Sequence, residues 1–160
     1  MEIRDARAND WPGIWAIVTE VLAEGDAYTY DPDMTETEAR AKWLAPSPWS
    51  TTVAVEAGRV LGAATVGPNQ AGPGSHVCNA NFVVGRESRG LGVGTALVEG
   101  TIARARADGY VGMQFNAVVE ANPAVAMYLR LGFEIIGTVP GAFIHPQRGP
   151  VGLHVMYLVL

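Results

Sequence analysis

The segment NFVVGRESRGLGVGTALVEG, residues 81–100, constrains this chain more than any other. A β-favouring run ends at Val83 and Val84, a short charged loop follows, and glycines stand at 90, 92 and 94 directly before a helical pattern. A glycine costs a helix about 1 kcal/mol relative to alanine, so three at a helix entrance must serve the backbone or a ligand. Strand, glycine turn and helix in that order gather backbone N–H groups at a helix N-terminus, where the dipole favours an anion. Missing Cβ atoms also let a phosphate approach the main chain closely. A tight turn with no ligand fits the same segment.

Two familiar phosphate-binding patterns fail here. A P-loop places Lys-Ser or Lys-Thr after its last glycine, whereas Gly94 is followed by Thr95-Ala96. The dinucleotide pattern Gly-x-Gly-x-x-Gly meets Thr95 when counted from Gly90 and Leu97 when counted from Gly92. Arg-x-x-Gly-x-Gly is satisfied, by Arg89, Gly92 and Gly94.

The rest of the chain reads as mixed α/β. MEIRDA is a first strand, a helix runs from Trp11 to Glu24, and TETEARAKWL is a second helix with Thr35 as N-cap and Glu38 three residues on. TTVAVEAGRVLGAATVG is a hairpin turning at Ala57-Gly58. HVCNANFVV alternates, with Val77, Asn79, Asn81 and Val83 on one face. In the helix after the glycines, Leu97, Val98, Thr101, Ile102 and Ala105 share a side. GMQFNAVVE is a strand, NPAVAMYLRLGF a short helix ending at Gly132, and FEIIGTVPG and VGLHVMYLVL two closing strands.

Composition narrows the function classes. At 160 residues the chain suits one domain, 1–160. A net charge of −5 offers no broad basic face for nucleic acid. No apolar stretch is long enough to span a bilayer, and the charged start MEIRDARAND lacks the apolar core of a signal peptide. A single cysteine fits a reducing compartment, so the expected location is cytoplasmic. His76, His145 and His154 have no metal-ligand spacing, and no metal site is expected.

EANPAVAMYLRLGF, residues 120–133, supplies a second motif. Together the two motifs resemble the GCN5-related N-acetyltransferases, the GNAT superfamily. There, a strand, Arg/Gln-x-x-Gly-x-Gly/Ala and a helix precede a further strand, an Asn-started helix bearing Tyr, and Leu-Gly-Phe. The resemblance covers nearly the whole chain. It implies a central mixed, mostly antiparallel sheet of about seven strands flanked by about four helices, with acetyl-CoA as acetyl donor. It further implies that the main chains of Val83 and Val84 pair with the pantetheine arm as an added strand would. Arg89, Gly90, Leu91, Gly92, Val93, Gly94 and Thr95 would wrap the pyrophosphate. Asn122 would bind the pantetheine arm, and Tyr128 would protonate the departing thiolate. The family pattern sets the helix Asn one residue farther from Leu-Gly-Phe than Asn122 stands. A helix beginning a residue late, with Asn122 as N-cap and Pro123 at its first position, accounts for this.

Acetyl transfer to an amine also needs orientation and stabilisation of the oxyanion. In the family two neighbouring strands splay apart to expose backbone amides, and here these would be HVCNANFVV and MQFNAVVE. Asn79, Asn81 and Asn116 interrupt those strands, although Asn is depleted in β structure. They either orient a small polar substrate or mark a bulge or an internal hydrogen bond. MQFNAVVEAN and LGFEIIGTVPGAF are similar to the branch that acetylates azetidine-2-carboxylate and related proline analogues in yeasts. That resemblance implies Asn79 for substrate and Asn116 for substrate and thioester. Tyr28 and Tyr30 wall the amine site or pack against the domain. Glu24, Asp26 and Glu120 read as solvated acids, leaving a water-mediated proton path as an alternative to a carboxylate base. Cys78 and the four tryptophans read as core.

The leading expectation is therefore direct acetyl transfer from acetyl-CoA to a small-molecule amine, an amino-acid or cyclic imino-acid analogue among the candidates. The alternatives are a protein or peptide N-acetyltransferase and a non-catalytic acyl-CoA-binding module. No nucleic-acid or membrane partner is expected, and a homodimer is compatible with every reading.

Overall fold

A computed structural model describes residues 1–160. Its seven strands are β1 Glu2–Asp5, β2 Ser50–Glu56, β3 Arg59–Pro68, β4 Val77–Val84, β5 Gly112–Val119, β6 Glu134–His145 and β7 Gly149–Val159. Four helices accompany them: α1 Trp11–Glu24, α2 Glu36–Trp43, α3 Val93–Ala107 and α4 Ala124–Arg130. The strands form one sheet in the order β1-β2-β3-β4-β5-β7-β6. Every neighbouring pair is antiparallel except β4 and β5, which run parallel. The expected seven-stranded, mostly antiparallel sheet with four helices is the fold.

Local sequence explains the boundaries. The Glu38 N–H donates to Thr35 Oγ1 at 3.3 Å, and Thr35 N–H donates to Glu38 Oε2 at 2.8 Å. This reciprocal capping box starts α2, and such a cap is worth about 1 kcal/mol. The β2–β3 hairpin turns through Ala57 at φ 47° and Gly58 at φ 80°, the two positive values that a type I′ turn demands.

The sheet is covered on both faces. On one, α1 and α2 bury Trp11, Ile14, Val18 and Trp43 against Val53, Ala63 and Val83. On the other, α3 buries Val93, Leu97, Val98, Thr101, Ile102 and Ala105, the face its periodicity marks. Cys78 and Ala80 meet that layer, as does α4 through Tyr128. The tryptophan expectation needs correction. Trp11 and Trp43 are core, whereas Trp15 and Trp49 are half-buried. Trp49 lies flat on Gly67, where any Cβ would sit within 2.3 Å of its ring, so its place is set by a strand glycine.

The parallel pair creates the site. β4 and β5 share only the partners Val77↔Gly112 and Cys78↔Met113. β5 then bulges against β7 between Phe115 and Val118, and the two strands part. At the far edge β6 pairs only with β7. Its residues from Glu134 to Ala142 are exposed, including Ile135, Ile136 and Val139. Pro140 sits inside β6, which only an edge strand tolerates.

Candidate active site

The opening between β4 and β5 leads into a cavity of about 780 Å³. Lining residues come from the α1 end, β4, the glycine loop, the β5 bulge and α4. Nearly all the residues expected at the site meet here.

Main-chain register decides what β4 offers. Gly85 N–H donates to Leu61 O at 2.9 Å, and Val83 pairs with Ala63 two residues earlier. Odd-numbered residues thus turn their main chain to β3, and Phe82 and Val84 turn theirs to the opening. This corrects the expectation for Val83: its main chain is spent on β3, and its side chain is buried beneath α1. The main chain of Val84 faces the opening as expected of that strand edge, and so does that of Phe82. Strand alternation, counted from the hairpin register, would have found Phe82.

The glycines divide into two kinds. Gly90 and Gly92 have φ of 77° and 81°, a left-handed conformation that costs other residues about 1–2 kcal/mol. Gly94 lies inside the first turn of α3, where an added Cβ would make only ordinary contacts, 3.7 Å to Val84 and 3.9 Å to Met127. Neither backbone nor packing forbids alanine there. From Gly90 to Thr95 no main-chain N–H has a partner in the chain; the first helical bond is Ala96 N–H to Gly92 O. Six consecutive unpaired donors, beside a space a methyl would fill, fit a diphosphate. Leu91 and Val93 have only their amides to offer a ligand there: the Leu91 side chain is exposed and Val93 is buried in the core.

Arg89 is already engaged. Its Nη1 and Nη2 donate to Glu24 Oε1 and Oε2 at 3.1 and 2.7 Å, and its Nε donates to Val84 O at 3.3 Å. Arg86 also donates to Glu24 Oε1. Glu24 is therefore no solvated acid, since its side chain is 13% exposed. The Arg89 hydrogen bond first, then Arg86 and the charge of both, hold its carboxyl below the usual range. Asp26 lines the cavity half-buried, while Glu120 is exposed and accepts from Gly152 N–H at 2.8 Å.

Each strand asparagine has an internal partner. Asn79 Nδ2 donates to Gln114 O at 2.8 Å, and Asn81 Nδ2 donates to buried Thr65 Oγ1 at 3.2 Å. Asn116 lies in the β5 bulge, donating to Asn69 at 2.7 Å and accepting from Gln114 at 2.9 Å. Asn79 Oδ1 remains free on the cavity wall. Asn122 Oδ1 accepts from Ala124 N–H at 2.9 Å from one residue ahead of the cap, since α4 starts at Ala124 with Pro123 as its N-cap and not, as expected, at Pro123; its Nδ2 makes no hydrogen bond within the chain.

Tyr128 packs against Phe82, Phe115 and Phe133 and lines the cavity. Burial raises its phenol pKa far above the ordinary value, so it carries its proton throughout the neutral range. Tyr28 O–H donates to Phe82 O and accepts from Phe82 N–H at 3.0 Å. Tyr30 is not on the cavity, which corrects that expectation. It stacks behind Tyr28 at 4.8 Å, under Lys42. His145, which the sequence reading left without a role, is buried on the cavity wall with Nδ1 accepting from Gln147 N–H at 3.2 Å. Cys78 is buried, and burial pushes its thiol up to about 11.

The model of the acetyltransferase (GNAT) family matches residues 11–133. The chain belongs to that family. It is an acetyl-CoA-dependent N-acetyltransferase. A GCN5-related N-acetyltransferase from Kribbella flavida shares 49% identity with this GNAT chain at a TM-score of 0.97, covering 99% of this chain and 97% of that one. An L-methionine sulfoximine/L-methionine sulfone acetyltransferase from Pseudomonas aeruginosa is 34% identical over 143 residues, 86% of this chain and 83% of the relative. The N-acetyltransferase aca1 of Schizosaccharomyces pombe is 28% identical over 134 residues, 74% of this chain and 64% of the relative. No helix of this acetyltransferase is long and apolar enough to cross a membrane.

Proposed function

We propose that this enzyme acetylates the amine of a small amino-acid-like molecule by direct transfer, with cyclic imino acids within the class. One observation carries the reading: a single cavity runs from the Gly90–Thr95 amides past Tyr128 to Asn79 and Asn116. A thioester beside Tyr128 and an amine beside the asparagines would meet without an acyl carrier, and buried Cys78 is not on the cavity. The Pseudomonas relative, by its name, acts on amino acids with a polar sulfur group, which supports this acceptor class.

When bound, acetyl-CoA supplies an acetyl group activated as a thioester. The amides of Gly90 to Thr95 and the α3 dipole hold its diphosphate, with Arg89 and Glu24 bracing the loop. The main chains of Phe82 and Val84 present a strand edge to the pantetheine arm, and Asn122 Nδ2 adds a donor. Tyr128 would give its proton to the sulfur as the C–S bond breaks, and would recover one through water from the nitrogen that has taken the acetyl group. Asn79 and Asn116 orient the acceptor, since a carboxamide both donates to a carboxylate and accepts from an amine. Tyr28 walls that side.

Thiol release from acetyl-CoA against a panel of amino acids, imino acids, polyamines and peptides tests the proposal. Turnover with amino-acid-like amines is the expected result. Turnover with peptides alone, or none at all, would reject it. We also propose a homodimer, because apolar β6 has a free edge and exposed faces. Light scattering on the purified chain checks it, and an Ile136→Glu change should yield a monomer.

A further inference from the structure

Two groups beside the proposed acetyl-CoA seat, the Phe82 main chain and the Arg89 guanidinium, are already satisfied from within the chain. Both satisfying side chains come from one short segment, the end of α1 and the loop after it. Tyr28 bridges the N–H and C=O of Phe82 with one hydroxyl, donating to the carbonyl and accepting from the amide. Seven pairs tie β4 to β3, but only two tie it to β5, so Phe82 has no strand partner on that side. Glu24, four residues earlier, holds Arg89 through both of its carboxylate oxygens. A single hydroxyl on both main-chain polar groups of one residue offers what a bound amide would: one donor and one acceptor.

We propose that Tyr28 is a positioning residue of the acetyl-transfer site, its hydroxyl holding the thioester seat on Phe82 until acetyl-CoA displaces it, its ring then remaining as the acceptor wall. This inference rests on the assignment of the β4 opening as the acetyl-CoA seat. The cost of displacement falls on cofactor binding. A half-buried amide and carbonyl without protein partners would cost free energy, so the hydroxyl keeps the unliganded site from collapsing or pairing wrongly. Its release frees the segment that faces the asparagines, and acetyl-CoA therefore prepares the acceptor half before the amine arrives. Tyr30, stacked behind Tyr28, keeps the displaced ring from swinging out to solvent.

Titration calorimetry on Tyr28→Phe and Tyr28→Ala, with the parent protein, tests this. Removing the hydroxyl removes the competitor, so acetyl-CoA should bind Tyr28→Phe about threefold to tenfold more tightly. A merely structural tyrosine predicts unchanged or weaker binding, and that result would overturn the proposal. Tyr28→Ala, which removes the ring as well as the hydroxyl, should raise the KM of the best amine in the panel more than Tyr28→Phe does. An equal rise in both would also overturn it. Amide NMR separates this inference from the one beneath it. If acetyl-CoA leaves the Phe82 and Val84 resonances unmoved, the seat itself is misassigned. If they move and Tyr28→Phe gains no affinity, the seat stands and the role of Tyr28 fails. Hydrogen exchange supplies a check without ligand: the Phe82 amide should be protected in the parent and lose protection in Tyr28→Phe.

Discussion

Asn79 on β4 donates its Nδ2–H to the main-chain carbonyl of Gln114 on β5 at 2.8 Å, one residue beyond the last backbone pair of the two strands. The side chain supplies the donor that the parting strand withdraws, and so fixes where the opening begins. Replacing it costs twice. Asn79→Ala should lower stability by about 1–3 kcal/mol, since the Gln114 carbonyl loses its partner, and should raise KM for the amine. Asn116→Ala, in the exposed bulge, should mainly lower kcat. Acetyl-CoA affinity should stay close to parental in both, and chemical denaturation beside steady-state kinetics checks the pair.

Gly94→Val tests the diphosphate cradle with the fold intact, because the position has room and an ordinary helical φ. Acetyl-CoA affinity should fall about 10- to 150-fold, the loss of one charge-assisted hydrogen bond, while the thermal midpoint moves little. Gly92→Val would confound the measurement, since φ of 81° strains any side chain. Calorimetry of folded Gly94→Val with parental affinity would remove the cradle assignment.

Tyr128→Phe should lower kcat by about 10²–10⁴ with little change in acetyl-CoA affinity. Because burial holds the Tyr128 phenol above its ordinary value, kcat should show no alkaline loss from its ionisation up to about pH 10. A variant with parental kcat would assign the proton to water.

Glu24 links acid stability to the cofactor loop. Its folded pKa is lowered, by Arg89 first, so its contribution is complete above the unfolded carboxylate value of about 4.3 and is lost as pH falls through the lower folded value. Glu24→Gln should therefore be less stable than the parent at pH 7 and nearly equal to it once the Glu24 carboxyl is protonated in the folded and the unfolded parent alike. Thermal melts across that range give the sign directly.

The β2–β3 turn carries an avoidable strain. Ala57 is exposed and holds φ at 47°, a conformation asparagine tolerates better. Ala57→Asn should stabilise by about 0.5–1 kcal/mol, raising the thermal midpoint by about 1–4 °C, with kinetics unchanged.

The fold was largely legible because its signals are local. The Thr35–Glu38 cap, the Ala57-Gly58 turn and the α3 stripe each name their structure within a few residues. The glycine turn into α3 was legible for the same reason. Pairings between distant segments were not. That Val83 is spent on β3 depends on a register set across the hairpin. That Arg89 meets Glu24 depends on where α1 ends against β4, sixty-five residues away in sequence. Tyr30 lost its place on the cavity to Tyr28, two residues along the same loop, because the turn and not the composition decides which ring faces inward. His145 carried no signal at all: one histidine at the end of an edge strand reads the same whether or not the strand returns to the site.

The six free amides from Gly90 to Thr95 make a grip out of dipoles instead of charges, beside a guanidinium that Glu24 already neutralises. Peptide dipoles do not titrate, and they hold no counterions to be released. The diphosphate end of acetyl-CoA should therefore be held with a shallow dependence on ionic strength, where a lysine-lined site would weaken as the screening length shortens. The same grip is blind to side-chain chemistry at Leu91 and Val93, so those positions answer only to solvent and core. Heritable loss of binding is then confined to substitutions that change the shape of the chain: a turn that no longer closes, or a methyl group where the phosphate has to lie.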